Sequence, residues 1–349
     1  MRRSCTIIIS TVAFALLLAV SGVLLWQYLP EESRASVAST FIETEEPDYQ
    51  FFQCLPTDVD CCNGLNNTCD LRLDEILFAG LHNAMAAREN GFLLGANHDL
   101  SMEKALKYGY RAINVDFGLC GGVPQLYHGS CELGTRNPVD LLSHIVKFVG
   151  ENPTETIVIT VQFTKNSGET DPSNIATLDD LVSVVNAVDG LVDKLYAHPD
   201  LSEPWPTLRE LQTLGKQIIL FHYNVDICYE SGCPYGLHDY FVYAEETEFE
   251  FATLLEVEET TRSCNVTRGS NVATFFGINL FLALPSRDVA AEINSLSFLQ
   301  NHVSDCEERN EGNLANIVWV DFWTQGELPV FVQRRNHNRG VTSQQRHDL

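Results

Sequence analysis

The chain has 349 residues, 45% of them hydrophobic, and a formal charge of −25. That length accommodates one barrel-sized domain of about 250 residues with extensions, or two average domains. Arg2 and Arg3 precede an uncharged stretch, so residues 30–349 carry −27. A surface of that sign repels nucleic acid and anionic head groups at long range, which argues against nucleic acid as a partner. An anionic substrate must therefore meet local compensation, from a bound cation or a few basic residues.

Residues 6–29 contain 24 positions without a charge. As a helix they span roughly 36 Å, enough for a hydrocarbon core of about 30 Å. The apolar region of a cleaved signal peptide is shorter, about 7 to 15 residues. This favours an uncleaved transmembrane or signal-anchor helix, with secretion after cleavage as the alternative. Positive charges ahead of the span place the N-terminus in the cytosol and the rest outside the cell or in the secretory lumen. Residues 30–50 are acidic and aperiodic and read as a linker, 51–340 as the folded domain, and 341–349 as a loose tail.

Ten of the eleven cysteines follow the apolar span. In an oxidising compartment an even number reads as disulfides. Spacing suggests Cys54–Cys61, Cys62–Cys69, Cys120–Cys131, Cys228–Cys233 and Cys264–Cys306, although spacing does not fix connectivity. Zinc is disfavoured because no paired Cys-x-x-Cys units or finger-spaced histidines occur. Asn66-Asn-Thr68 and Asn265-Val-Thr267 are N-glycosylation sequons, expected in a glycoprotein of the secretory route.

From residue 74 onward, β-type runs alternate with helical patterns. Expected strands cover 76–80, 112–117, 125–128, 156–163, 217–222, 240–244, 275–282 and 316–322. Expected helices cover 101–108, 139–150, 178–196, 207–214, 287–303 and 328–336. Ile157-Val-Ile-Thr-Val161 and Ile317-Val-Trp-Val320 are apolar on nearly every residue, as in parallel strands covered on both faces. Eight strands interleaved with helices predict an α/β fold, a (β/α)8 TIM-type barrel.

Chemistry concentrates at strand ends. His82 follows the first run, His128 follows Gln125-Leu-Tyr, and Asp116 lies near the end of the run between them. Imidazoles exchange protons near neutral pH, so two of them beside a carboxylate suit acid–base work on a phosphate ester. The other histidines read as packed or capped residues.

Cys62-Asn-Gly-Leu-Asn-Asn-Thr-Cys69, Phe78-Ala-Gly-Leu-His-Asn-Ala-Met85, Gly109-Tyr-Arg-Ala-Ile-Asn-Val-Asp116, Leu126-Tyr-His-Gly129, Asn152-Pro-Thr-Glu-Thr-Ile-Val-Ile159, Trp205-Pro-Thr-Leu208 and Val318-Trp-Val-Asp-Phe322 occur in one order. Together they resemble the phosphatidylinositol-specific phospholipase C X-domain superfamily, in its branch of PLC-like phosphodiesterases, across about residues 54–340. The resemblance implies a distorted TIM barrel that cleaves the phosphodiester of an inositol phospholipid through the neighbouring ring hydroxyl. His82 matches the histidine that moves the nucleophile's proton and stabilises the transition state, and His128 the general acid toward the leaving group. The metal positions of calcium-dependent members match Asn83, Asn114, Asp116 and Gln162. Only Asp116 is a carboxylate, and hard dications prefer several anionic oxygens. A weakened Ca2+ or Mg2+ site and no metal site at all are both open. Metal-independent bacterial members place an arginine where Asp116 stands; Arg111 points to the opposite face by strand alternation. Asp99, Glu132 and Asp321 are further carboxylates without an assigned place. The expected activity is that of a phosphoric diester hydrolase or lyase in lipid metabolism, with a phospholipid as partner and a membrane tether. The alternative is a catalytically weak or inactive barrel that binds lipid, glycan or protein.

Overall fold

The computed structural model describes residues 46–347 except 50, 59, 93, 224–232 and 271–272. The expected span at 6–29 lies outside the described residues. Among these, no helix is long and apolar enough to cross a membrane.

One curled sheet organises the molecule. Its parallel strands are β1 (Phe78–Leu81), β2 (Ala112–Cys120), β4 (Ile157–Phe163), β5 (Ile218–Tyr223), β6 (Leu237–Asp239), β7 (Ala244–Thr247), β9 (Phe275–Leu280) and β10 (Ile317–Val320). The sheet runs β6-β5-β4-β2-β1-β10-β9-β7, with β8 (Val266–Gly269) antiparallel on β7 and β3 (Val123–Leu126) antiparallel on β2. This is the strand order of a TIM-type barrel. It is open at one seam, because β6 and β7 do not pair among the described residues and a single helical turn, Tyr240–Tyr243, stands between them.

The apolar runs form strands because both of their faces are covered. Ile157, Ile159, Val161 and Phe163 pack under helices with Leu141, Ile145 and Leu181. Val158, Ala112, Ile219, Phe275, Ile317 and Phe78 fill the concave side. Near the seam Glu246 is buried, and its carboxylate accepts hydrogen bonds from Tyr240 Oη (2.7 Å), Trp319 Nε1 (3.1 Å) and Arg268 Nη2 (2.6 Å). Such full satisfaction is what lets a carboxylate sit inside a barrel.

Several expected elements differ. The run 125–128 is no barrel strand; β3 folds back on the extension of β2, with Phe117 opposite Leu126 and Cys120 opposite Val123. The run 240–244 is mostly the helical turn, while β6, β7 and β8 are strands that the apolar pattern did not mark out. The helix expected over 178–196 ends at Ala187 and resumes at Leu191–Lys194, where Gly190 takes φ 73°. The last helix, Leu328–His347, extends through most of the segment expected to be a loose tail.

Disulfides join Cys54–Cys61, Cys62–Cys69, Cys120–Cys131 and Cys264–Cys306. Cys233 is disulfide-bonded as well, and its expected partner Cys228 lies outside the described residues. Among the described residues, the two His/Cys/Asp groupings dense enough for a metal, Cys264-His302-Cys306 and His222-Cys233-Asp239, both contain cysteines already spent on disulfides. Both sequon asparagines, Asn66 and Asn265, are exposed.

Candidate active site

His82 and Asp321 directly follow β1 and β10, which are register neighbours with Leu81 beside Val320. His82 Nδ1 lies 3.0 Å from Asp321 Oδ1. A carboxylate accepts, so Nδ1–H donates and Nε2 is left for chemistry. Asn97 Nδ2 donates to the same oxygen at 2.9 Å. The backbone is forced here: Asn83 and Phe322, the residues just after His82 and Asp321, both take positive φ, 48° and 46°. Strain of this kind gathers at functional sites.

His82 is held from two further directions, at its ring and at its backbone carbonyl. Phe281, just beyond β9, stacks on it with centroids 3.6 Å apart and planes 7° from parallel. His98 Nε2 donates to the His82 carbonyl at 2.7 Å, while His98 Nδ1 accepts from the Trp323 N–H at 3.4 Å. Burial pushes the His98 pKa down to about 4, which keeps this brace neutral.

His128 arrives by a different route. The β2–β3 hairpin, closed by Cys120–Cys131, carries it back beside β2, where the Tyr127 N–H donates to the Asp116 carbonyl at 3.3 Å. Its Nδ1 lies 2.9 Å from the Gly95 carbonyl and must donate, which again leaves Nε2 open. The barrel ending and the hairpin therefore present two imidazoles with the same nitrogen available.

Asp116 stands between their influences. It is buried, and no described residue hydrogen-bonds its carboxyl. Burial pushes its pKa up to about 6, and the nearby rings of His128 and then His82 pull against that rise. The carboxyl also helps burial raise the Tyr127 hydroxyl to about 12.

The remaining expected positions form a network on the same mouth. Asn83 N–H donates to Asn114 Oδ1 at 3.1 Å. Asn114 Nδ2 donates to Thr160 Oγ1 and Tyr223 Oη, both at 3.1 Å, and Tyr223 Oη donates to Gln162 Oε1 at 2.8 Å. Gln162 is the register partner of Asp116 across β2 and β4. The structure thus gathers Asn83, Asn114, Asp116 and Gln162, together with His82 and His128, at one end of the sheet, the end where barrel enzymes keep their chemistry.

These residues do not fit a tightly held Ca2+ or Mg2+. Asp116 is the sole carboxylate of the four, and the oxygens of Asn114 and Gln162 already accept protein hydrogen bonds. Asn83 Oδ1 is buried without a partner, leaving one amide oxygen and one carboxylate for an ion that prefers six or more oxygens. Asp99 is bound to Arg88 (3.0 Å) and Arg287 (3.4 Å), and Glu132 to Ser130. Arg111 is a buried partner of Glu155 at 2.7 Å, on the outer face as alternation predicts, and supplies no charge here.

Asn97, His98, Tyr223 and Phe281 escaped sequence reasoning as parts of the site, and Asp321 had no assigned role. The one signal available was the motif Val318-Trp-Val-Asp-Phe322, which placed a carboxylate directly after an apolar strand.

The architecture is that of an α/β barrel with its polar cluster at the strand C-termini. The PI-PLC X 1 family model matches residues 68–336, and the chain belongs to this family. PI-PLC X domain-containing protein 1 from the fungus Arthroderma benhamiae is 31% identical over 298 residues, covering 78% of this chain and 89% of the relative. Among solved structures, phosphatidylinositol-specific phospholipase C from Staphylococcus aureus shares the fold at 15% identity. One structure, from work on its membrane binding, has a TM-score of 0.54 and covers 78% of this chain and 96% of its own. A double mutant of that enzyme has 0.51, with 77% and 92%.

Proposed function

We propose that the chain is a phosphoric diester hydrolase or lyase that cleaves a phospholipid-type diester by acid–base catalysis from His82 and His128. The observation that carries this reading is the matched anchoring of the two rings. Each Nδ1–H is tied to a protein acceptor, Asp321 or the Gly95 carbonyl, so each Nε2 faces the chemistry. His82 Nε2 takes the proton of the attacking hydroxyl as its oxygen bonds to phosphorus. His128, protonated on both nitrogens, passes its Nε2 proton to the leaving oxygen as the second P–O bond breaks. Asp321 holds the His82 ring in one tautomer and stabilises its protonated form, as a buried carboxylate does for a catalytic imidazole.

The uncharged segment 6–29 supports a membrane-tethered enzyme with its barrel outside the cytosol. Tethering raises the effective concentration of a lipid substrate at the barrel mouth. The amides at Asn114 and Gln162 favour a second reading, a barrel that binds lipid, glycan or protein without turnover.

Turnover of phosphatidylinositol and of a soluble glycerophosphodiester, with calcium, magnesium or chelator, separates the two readings. His82→Ala and His128→Ala are each expected to lower kcat by about 10²–10⁴-fold. Unchanged rates in both variants would overturn the assignment of catalysis to these two histidines, and no turnover of any ester by the wild type would leave the binding reading standing.

A further inference from the structure

We infer that Gln162 presents hydrogen-bond donors to a phosphate oxygen, so that the site binds its anionic group through a protein amide and needs no divalent cation. The inference rests on the phosphodiester reading above and names how the same mouth holds its substrate.

The polarity of one hydrogen-bond chain carries the argument. A backbone N–H can only donate, so the Asn83 N–H at 3.1 Å fixes the oxygen of the Asn114 carboxamide on its own side. The Asn114 amide nitrogen is then turned toward Tyr223 and donates to its hydroxyl oxygen at 3.1 Å. The Tyr223 hydroxyl has no other acceptor among the described residues, so its single proton goes to Gln162 Oε1 at 2.8 Å. Gln162 Nε2 is consequently directed away from Tyr223, and it has no hydrogen-bond partner among the described residues. Amide orientations are ordinarily ambiguous; here a backbone donor sets the first and the chain transmits it to the second. Asn114 and Tyr223 are both buried, which shields the relay from competing water, whereas Gln162 is only half-buried at the mouth.

Charge points the same way. Gln162 sits beside Asp116 in the sheet register, and the chain as a whole is strongly acidic. A glutamate at 162 would put a second anion next to Asp116, an arrangement that only a cation offsets. A carboxamide adds no charge and supplies two N–H groups, so a phosphodiester meets donors where it would otherwise meet repulsion. One amide in place of one carboxylate therefore exchanges cation affinity for anion affinity.

Titration calorimetry of the purified full chain, with inorganic phosphate and separately with calcium chloride, tests this. The wild type is expected to bind phosphate and to give no calcium heat. Gln162→Glu is expected to lose at least about tenfold in phosphate affinity, about 1.4 kcal/mol, and to gain calcium binding. Tyr223→Phe, which removes the relay hydroxyl and leaves Asn114 its bonds to Asn83 and Thr160, is expected to melt cooperatively and still lose phosphate affinity several-fold, because the Gln162 amide is no longer held. Calcium binding by the wild type that Asp116→Asn abolishes would overturn the inference. So would an unchanged phosphate affinity in Gln162→Glu, or no phosphate binding by the wild type. Expected phosphate behaviour without turnover of any diester leaves the inference intact and removes the catalytic reading. Calcium-dependent turnover indifferent to Gln162→Glu does the reverse.

Discussion

His82 and Asp321 are 239 residues apart in the chain and 3.0 Å apart in space, joined through Nδ1 and Oδ1. The contact exists because β1 and β10 are parallel neighbours whose last residues are in register. Asp321→Asn is nearly isosteric but can no longer hold a protonated imidazole. It is expected to reduce kcat by about 10²–10⁴-fold with little change in KM or in melting temperature. Steady-state kinetics on a diester substrate, with a thermal melt as control, provides the check. An unchanged kcat would mean that Asp321 only packs.

Asp116→Asn should separate stability from activity. The folded carboxyl titrates at about 6, against about 3.9 in an unfolded chain. A carboxyl raised in this way contributes stability below its unfolded pKa and loses it as pH rises through the folded one. At pH 7 the ionised group therefore burdens the fold by on the order of 1–3 kcal/mol. The amide variant is expected to unfold at higher urea concentration at pH 7, to show no such gain at pH 3.5, and to turn over more slowly. A variant less stable than wild type at pH 7 would contradict the burial argument.

Much of the barrel was legible because its strands carry a two-sided burial signal. Ile157–Phe163 and Ile317–Val320 read as strands since both faces pack on apolar neighbours. The short strands β6, β7 and β8 carry His238, Asp239, Glu245, Glu246 and Arg268, whose polarity hides them in a hydropathy pattern. Gln125–His128 did read as a strand from its short apolar run, but a hairpin arm and a barrel strand look alike until the partner is known. The site divides along the same line. His82, Asp116 and His128 announce themselves by position at the ends of apolar runs. Asn97, Tyr223 and Phe281 join them only once the sheet curls, so no local spacing records their contacts.

Acid should weaken the fold below about pH 6.5. Burial pushes His98, His222, His238 and His302 each down to about 4. Between an unfolded value near 6.5 and 4, the unfolded chain binds protons that the folded chain refuses. Their contribution is whole above about 6.5, falls as pH drops toward 4, and levels off below it. Asp116 works with the opposite sign in part of this window, one group against four. Urea midpoints at pH 7.5 and 5.0 are expected to differ clearly, and His302→Gln, remote from the mouth, to reduce the difference. Equal midpoints would show that these histidines take up protons without unfolding.

The Cys120–Cys131 bridge should matter more for turnover than for the global fold. It closes an 11-residue separation around the β2–β3 hairpin, and the chain segment it restrains includes His128. A loop of about that size is worth roughly 3 kcal/mol of chain entropy when it closes. Most of that restraint acts on the hairpin, since β2 is held independently by β1 and β4 on either side. Without the bridge the His128 Nδ1 contact with the Gly95 carbonyl has to be maintained by the hairpin's own pairing. A paired Cys120→Ser and Cys131→Ser variant is therefore expected to keep a cooperative melt within several degrees of wild type and to lose about tenfold or more in kcat. His82-centred groups would be unaffected, so binding of a substrate analogue should change less than turnover. Full activity in the doubly substituted chain would show that the pairing of β2 with β3 alone holds His128 in place.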